Sequence, residues 1–277
     1  MKKKRGIQVF IEEVVFAILT IIWIIPIYYF VISSFKRRKD IVKGPLKIVL
    51  SKMSFDNFKY VIANTPLIKA MINTGIITIV TLVLVVLAGS MAGFVLGRMH
   101  SKFFKGNYKF VVALMVVPFI SCLLTIVKLS VSIHTYGTLF GVVLSHTAWN
   151  LPFCTFLYTG FMRSIPKELE EAAYVDGCGS FKAYWHVFFP LLKPITATCC
   201  IQTGLGTWND FLVSNSLLNS TKQPTLMVNV NSFFGEYVSE YGYAFASVIL
   251  AALPIIIAFV FLQKYFIKGL TAGAVKG

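Results

Sequence analysis

The sequence predicts an all-α integral membrane protein with six transmembrane helices, and three observations carry that expectation. Hydrophobic residues make up 57% of the 277 and charged residues 13%, far too apolar a balance for a soluble domain of this length. Six segments meet or approach the roughly 20 apolar residues that a helix needs to cross a hydrocarbon core about 30 Å thick. Between the fourth and fifth lies a long mixed-polarity stretch with apolar segments on both sides, Ser164 to Pro194.

The first span is expected at residues 14–33, with Pro26 as a kink. Ahead of it, Met1 to Arg5 looks like the start of a secretory leader. Glu12 and Glu13 interrupt that pattern, the apolar run is too long, and no small-residue cleavage site follows. The second span is expected at 72–96, where Gly89, Gly93 and Gly97 recur every fourth residue and form a face that another helix can approach closely. That face is assigned to helix packing, not to a pore. The third is expected at 110–130 with Pro118 inside, and the fourth at 139–161 with Pro152 inside and Gly137 and Gly141 at its start. The fifth, 195–212, is the least apolar, carrying Thr196, Thr198, Gln202, Thr203, Asn209 and Asp210; the sixth, 244–266, contains Pro254.

Several functions are excluded or disfavoured. The net charge of +15 comes from basic residues scattered among apolar spans, without the basic stripe and aromatic platforms of a nucleic-acid surface, so no nucleic-acid partner is expected. Such residues serve topology and lipid headgroups. Cys122, Cys154, Cys178, Cys199 and Cys200 have no CxxC pairing, and no His stands at metal-ligand spacing, so neither a metal site nor catalytic residues are assigned. His134, His146 and His186 have no partners at catalytic spacing, and His100 reads as a headgroup neighbour in a basic loop. There is no GxxxxGK[ST] phosphate loop, so an ATP-driven process would need ATP handled by another subunit.

The 164–194 stretch reads as two short helices with a hinge. Ser164 is expected to cap the first, Pro166 to sit in its first turn, and Glu168, Glu170 and Glu171 to complement the helix dipole. Gly177 stops it, Gly179 follows in the turn, and Ser180 is expected to cap a second helix that Pro190 and Pro194 end. Phe181, Tyr184, Trp185, Phe188 and Phe189 share one helical face. Ala172 and Ala173 allow close approach of a partner, and Asp176 is expected to bond N–H groups of the turn. By pattern alone this could equally be a solvated helical hairpin.

Glu171, Ala172, Ala173, Asp176 and Gly177, followed by Pro190-Leu191-Leu192-Lys193-Pro194, resemble the EAA loop of the membrane subunits of binding-protein-dependent ABC importers. The resemblance implies that residues 163–194 are a cytoplasmic coupling loop whose helix docks into a cleft on an ATPase subunit. Cys178 departs from the family's usual alanine but is also small and apolar. The likeness covers nearly the whole chain. Ser33-Ser34-Phe35-Lys36, Trp208-Asn209-Asp210-Phe211 and Gln263-Lys264-Tyr265-Phe266 with the Gly269 to Gly277 tail resemble the smaller permease subunit of maltose-type carbohydrate importers.

This resemblance implies a type I ABC importer permease fold in a bacterial plasma (inner) membrane. It further implies a homologous second permease, two ATPase subunits that bind the ATP and Mg, and an extracellular sugar-binding protein. The 267–277 tail would reach the ATPase interface through Gly273, Ala274, Lys276 and Gly277, and Phe233, Phe234 and Tyr237 would contact the binding protein. Tyr241 and Tyr243 suit a headgroup belt equally well. Trp208, Asn209 and Asp210 form a polar, aromatic corner of the kind that stacks on a sugar ring and mark a candidate substrate pathway; an interfacial Trp beside a helix-end Asp is the structural alternative, and the weightier one.

With both termini cytoplasmic, the inside segments hold 15 Lys and Arg and the outside loops 9, which favours that orientation. Eight of the nine lie between Lys36 and Lys59, directly after the first span, and break the rule. An ion-driven carrier would show internal repeats and several intramembrane carboxylates. No repeat is evident and only Asp210 qualifies. A membrane scaffold that docks a cytoplasmic partner without transport is the third alternative.

Overall fold

The computed structural model describes residues 2–44, 46–48, 53–99, 101–218, 222–234 and 241–274, with side chains placed between 9 and 261. In chain order its helices are α1 (Lys2–Ser34), α2 (Arg38–Lys43), α3 (Asp56–Asn64), α4 (Leu67–Arg98), α5 (Lys102–Leu114), α6 (Phe119–Ser132), α7 (Leu139–Ser164) and α8 (Glu168–Val175). Then come α9 (Ser180–Ala183), which continues as a π-helical turn (Tyr184–Phe188) into α10 (Phe189–Leu191), and α11 (Lys193–Trp208), α12 (Leu212–Leu218), α13 (Leu226–Asn231) and α14 (Tyr241–Ala274). The chain divides into two units, Met1–Leu67 with Asn229–Pro254 and Ile68–Val228 with Ile255–Gly277.

In the first unit α1 ends at Ser34, within the Ser33-Ser34-Phe35-Lys36 stretch. The last carbonyls of a helix have no intrahelical donor. Asn57 on α3 supplies one, its buried amide donating to Ser34 O and Lys36 O, both at 2.8 Å. Gly242 at the start of α14 packs on that amide, where a Cβ would lie 2.7 Å from Asn57 Nδ2. Tyr29 and Phe30 meet Phe245 edge-on at 5.3 and 4.9 Å. Lys36 is buried and donates to Gly44 O at 3.1 Å. Burial lowers its pKa from the ordinary lysine value, and the nearby Asp40 carboxylate opposes that shift.

The second unit is built on the α4–α7 seam. A Cβ on Gly93 would collide with Tyr158 Cβ and lie 3.0 Å from Thr159 N; one on Gly97 would lie 2.8 Å from Met162 Cβ, and one on Gly89 3.4 Å from Cys154 Cβ. The glycine face on the second span is therefore a packing face. Around it Phe94, Tyr158, Met162, Tyr184, Phe188 and Leu192 form a continuous buried cluster. Beside it, Ile77, Val142, Val143, Val213 and Leu217 form a second one.

Three boundaries differ from the sequence expectation. The expected third span, 110–130, is two helices, α5 and α6, bent by 102°. Pro118 precedes α6 as its N-cap at ψ 127°, and it has no N–H to continue a helix from α5. The expected fifth span ends at Trp208, and α12 begins anew at Leu212. α14 stays helical through Ala274, so most of the tail expected from residue 267 is helix.

Among the described residues, Val9–Ser34, Leu67–Arg98 and Tyr241–Phe261 are long and apolar enough to cross a membrane, and the bent pair adds a fourth only if its two helices are one broken span. α11 is only 16 residues long, and α7 carries polar groups along its buried side. Those groups are bonded locally: Ser145 to Gly141 O at 2.8 Å, Asn150 to His146 O at 2.8 Å and Thr159 to Thr155 O at 2.7 Å. These three side chains lower the hydropathy of the helix while their own donors are bonded within it.

Candidate functional site

α8 and the turn after it are set by residues close by. α7 ends because Ile165, which precedes Pro166, is extended, with ψ 131°. Ser164 does not cap α8 as expected. It is the last residue of α7, its hydroxyl donates to Phe161 O at 2.7 Å, and the α8 N-cap is Lys167. Glu168, Glu170 and Glu171 occupy the first turn of α8, where the dipole favours negative charge.

The helix stops in a Schellman motif. Gly177 has φ +75°, its N–H donates to Tyr174 O at 3.0 Å, and Cys178 N–H donates to Ala173 O at 2.9 Å. No atom lies within 4 Å of a Cβ built on Gly177, so the requirement for glycine there is one of backbone conformation alone. Cys178 sits against the core as the small apolar residue this motif favours. Asp176 is exposed, and backbone bonds close the turn where side-chain bonds from Asp176 are expected. Ser180 is likewise not the cap of α9, which is Gly179; its hydroxyl pairs with Tyr174 Oη at 3.1 Å.

The second helix does not end at Pro190. Its turn widens first, Phe189 N–H donating to Tyr184 O five residues back. A π turn just before proline gives its ring room and absorbs the missing N–H. Tyr184 and Phe188 are buried, with Ser90 and Tyr184 hydroxyls 2.7 Å apart, whereas Phe181 stands 69% exposed. The five aromatics therefore do not share one buried face.

What anchors α8 to the spans is Arg98, which the sequence reading counted only as a topology charge. It ends α4, donates from Nη1 to Ile165 O at 3.1 Å, pairs through Nε with Glu170 Oε2 at 3.4 Å and lies 4.9 Å over the Phe188 ring. Arg163, at the end of α7, donates to Leu96 O at 3.4 Å and covers Tyr108. Glu170 and Ala173 thus face inward, and Glu168, Glu171, Ala172 and Val175 face out as an i, i+3, i+4, i+7 set, Val175 at 87% exposure. Of the two alanines only Ala172 is on the outward side. The surface joins two carboxylates, a small residue and an apolar tip on a rigidly held helix.

Asp210 has a structural task. Its carboxylate accepts from Val213 N at 3.0 Å and Ser214 N at 2.8 Å, capping α12, and lies 3.3 Å from His146 Nε2 on α7. His146 has no partner at a recognisable sequence spacing, because 64 positions separate it from Asp210, a gap that carries no local signal. Asn209 is exposed with its amide donating to Leu205 O at 3.0 Å, and Trp208 is half-buried at the end of α11. Elsewhere in this unit a cavity of about 360 Å³ opens at the α5–α6 bend, lined by Trp149, Asn150, Gln202 and apolar neighbours.

Phe233 lies edge-on to Tyr243 at 6.3 Å, and Tyr243 stacks on Tyr60 at 4.0 Å. Phe234 is exposed. Gly273 and Ala274 belong to the end of α14, while Tyr237, Lys276 and Gly277 lie outside the described residues.

Residues 86–272, which take in the glycine seam, the α8 turn and the Asp210 cap, match the family described as binding-protein-dependent transport system inner membrane component. The chain belongs to that family. Over its full length this permease is 36% identical to the melibiose/raffinose/stachyose import permease protein MelC of Bacillus subtilis, with 100% of both chains covered. It is 30% identical to the probable starch degradation products transport system permease protein AmyC of Thermoanaerobacterium thermosulfurigenes, with 99% of each covered. It is 31% identical to the multiple sugar-binding transport system permease protein MsmG of Streptococcus mutans, with 100% of each covered. Its fold matches a chain of a bacterial ABC transporter involved in alginate import, with a TM-score of 0.81, 21% identity and coverage of 94% of this chain and 96% of that one. The permease is thus a membrane protein with the all-helical ABC importer permease fold expected from its sequence.

Proposed function

We propose that this permease forms half of the translocation pathway of an ATP-driven importer of oligosaccharides and is moved by a separate ATPase through the outward face of α8. The observation that carries the carbohydrate reading is full-length likeness to MelC, whose name gives melibiose, raffinose and stachyose, supported by AmyC, MsmG and the arabinooligosaccharide permease AraQ of Bacillus subtilis. The mechanical reading is supported by the Schellman stop at Gly177 and the Arg98 tie, which make α8 a rigid lever continuous with α4 and α7.

In this reading the two ATPase subunits bind ATP and Mg, close, and carry the clefts that hold α8 and its counterpart in a second, homologous permease. Rigid-body motion then alternates access across the membrane. Six crossings with both termini in the cytoplasm put α8 and the end of α14 on the ATPase side, and Phe233, Phe234 and Tyr237 on the side of an extracellular sugar-binding protein. The chain itself breaks no bond. Uptake of radiolabelled raffinose and maltotriose by vesicles holding the complete transporter and its binding protein tests the substrate class. Uptake of either, competed by unlabelled oligosaccharide and not by amino acids, is expected; uptake of neither contradicts the reading.

A further inference from the structure

Eight basic residues and two acidic ones lie between Lys36 and Lys59. With both termini inside, that cluster opposes the charge rule that sets topology, so it needs another physical cause. It begins immediately after α1, whose 26-residue membrane-crossing stretch ends at Ser34 and is exposed along nearly all its length. Buried Lys36 ties back to Gly44 O and Ile41 is the buried residue of α2, while Arg37, Lys39, Val42 and Lys43 are exposed.

The chain then runs back along α1. Tyr28 Oη donates to Leu46 O at 3.1 Å. Tyr28 lies six residues before the end of α1, so Leu46 is folded back to within a tyrosine side chain's reach of the last two turns of that helix. There Leu46 and Ile48 are 51% and 52% exposed, beside a helix whose own Trp23 and Ile27 are 77% and 64% exposed.

We propose that Arg37–Lys43 together with Leu46 and Ile48 form an interfacial anchor for anionic phospholipid, with Arg37, Lys39 and Lys43 on headgroup phosphates and the two apolar side chains in the upper acyl region. Basic residues over apolar ones are the composition that lies in a membrane interface. An acidic protein partner accounts for the charges only.

The test places the photo-crosslinking residue p-benzoylphenylalanine at Val42, Leu46 or Ile48 of the full chain, in cell membranes and in phosphatidylcholine vesicles with and without phosphatidylglycerol. Lipid adducts are expected at Leu46 and Ile48 in every membrane. At Val42, phosphatidylglycerol adducts are expected to exceed that lipid's bulk share by at least roughly fivefold, the factor that a single basic residue contributing about 1 kcal/mol gives. The combined Arg37→Gln, Lys39→Gln and Lys43→Gln variant should lose the enrichment and keep the Leu46 adduct. Adducts of Val42 with an extracellular protein, lipid adducts in bulk proportion, or no lipid adduct at Leu46 would each overturn the proposal.

Discussion

Replacing Arg98 by methionine removes three interactions while keeping most of the side chain's length. The hydrogen bond to Ile165 O has a charged donor, a kind that contributes about 1.5–3 kcal/mol. The Phe188 contact adds about 0.5–1 kcal/mol. The Glu170 pair, with the carboxylate 22% exposed, adds up to about 1 kcal/mol. Glu170 can turn to solvent once unpaired, and methionine retains the packing, so the net loss should lie near the low end, about 2 kcal/mol. In a chain of this size that corresponds to a fall of roughly 4–8 °C in thermal midpoint. Buried, unpaired Cys154 and Cys199 provide the readout, through a thiol-reactive dye during heating in detergent. Glu170→Gln should lose less, and the double variant should fall short of additivity by at least about 0.5 kcal/mol. In the assembled transporter, Arg98→Met should lower uptake per ATP hydrolysed, because α8 is no longer tied to α4. A variant with wild-type stability, or strict additivity with Glu170→Gln, would refute the tether.

Three further outcomes follow from single residues. Gly177→Val forces a β-branched residue to φ +75°, which costs roughly 1–2 kcal/mol, and should uncouple uptake from ATP hydrolysis at normal membrane levels; Gly177→Asn should be milder, and normal uptake by the valine variant would count against the turn. Gly93→Val should push α4 off α7 at about 1–3 kcal/mol and reduce the monodisperse fraction on size exclusion, whereas Gly75→Val, with nothing within 4 Å, should not. Asp210→Ala removes the α12 cap and should destabilise by about 0.5–2 kcal/mol, while Asp210→Asn keeps an acceptor and should lose less; equal effects in the same melting assay would place the importance in the His146 pair instead.

The parts of this fold that were legible in the sequence are those whose cause is local or periodic. The start of α7 at Leu139, the four-residue glycine repeat on α4 and the positive φ at Gly177 each rest on a pattern within a few residues. What the sequence hid depends on partners far along the chain. Arg98 meets Ile165 and Glu170 about seventy positions later, and His146 meets Asp210 across a similar gap. Asn57 donates to the end of a helix more than twenty residues earlier. Pro118 and Pro190 show why proline alone is ambiguous. One begins a helix at a 102° bend, and the other follows a π turn that lets the helix run on. Asp210 looked like a ligand candidate because its position near a span called for a reason; the reason is the N-terminus of α12, which cannot be seen until the break after Trp208 is known.

The central claim is that the outward face of α8 transmits ATPase motion to the spans. Its most direct test is ATP-dependent sugar uptake in proteoliposomes that hold this chain, its partner permease, the ATPase and the binding protein, comparing wild type with Glu171→Ala. Glu171 is exposed, so the variant should insert and melt like wild type while ATP-dependent uptake collapses. Undiminished uptake by the variant, or uptake that proceeds without the ATPase, would contradict the account.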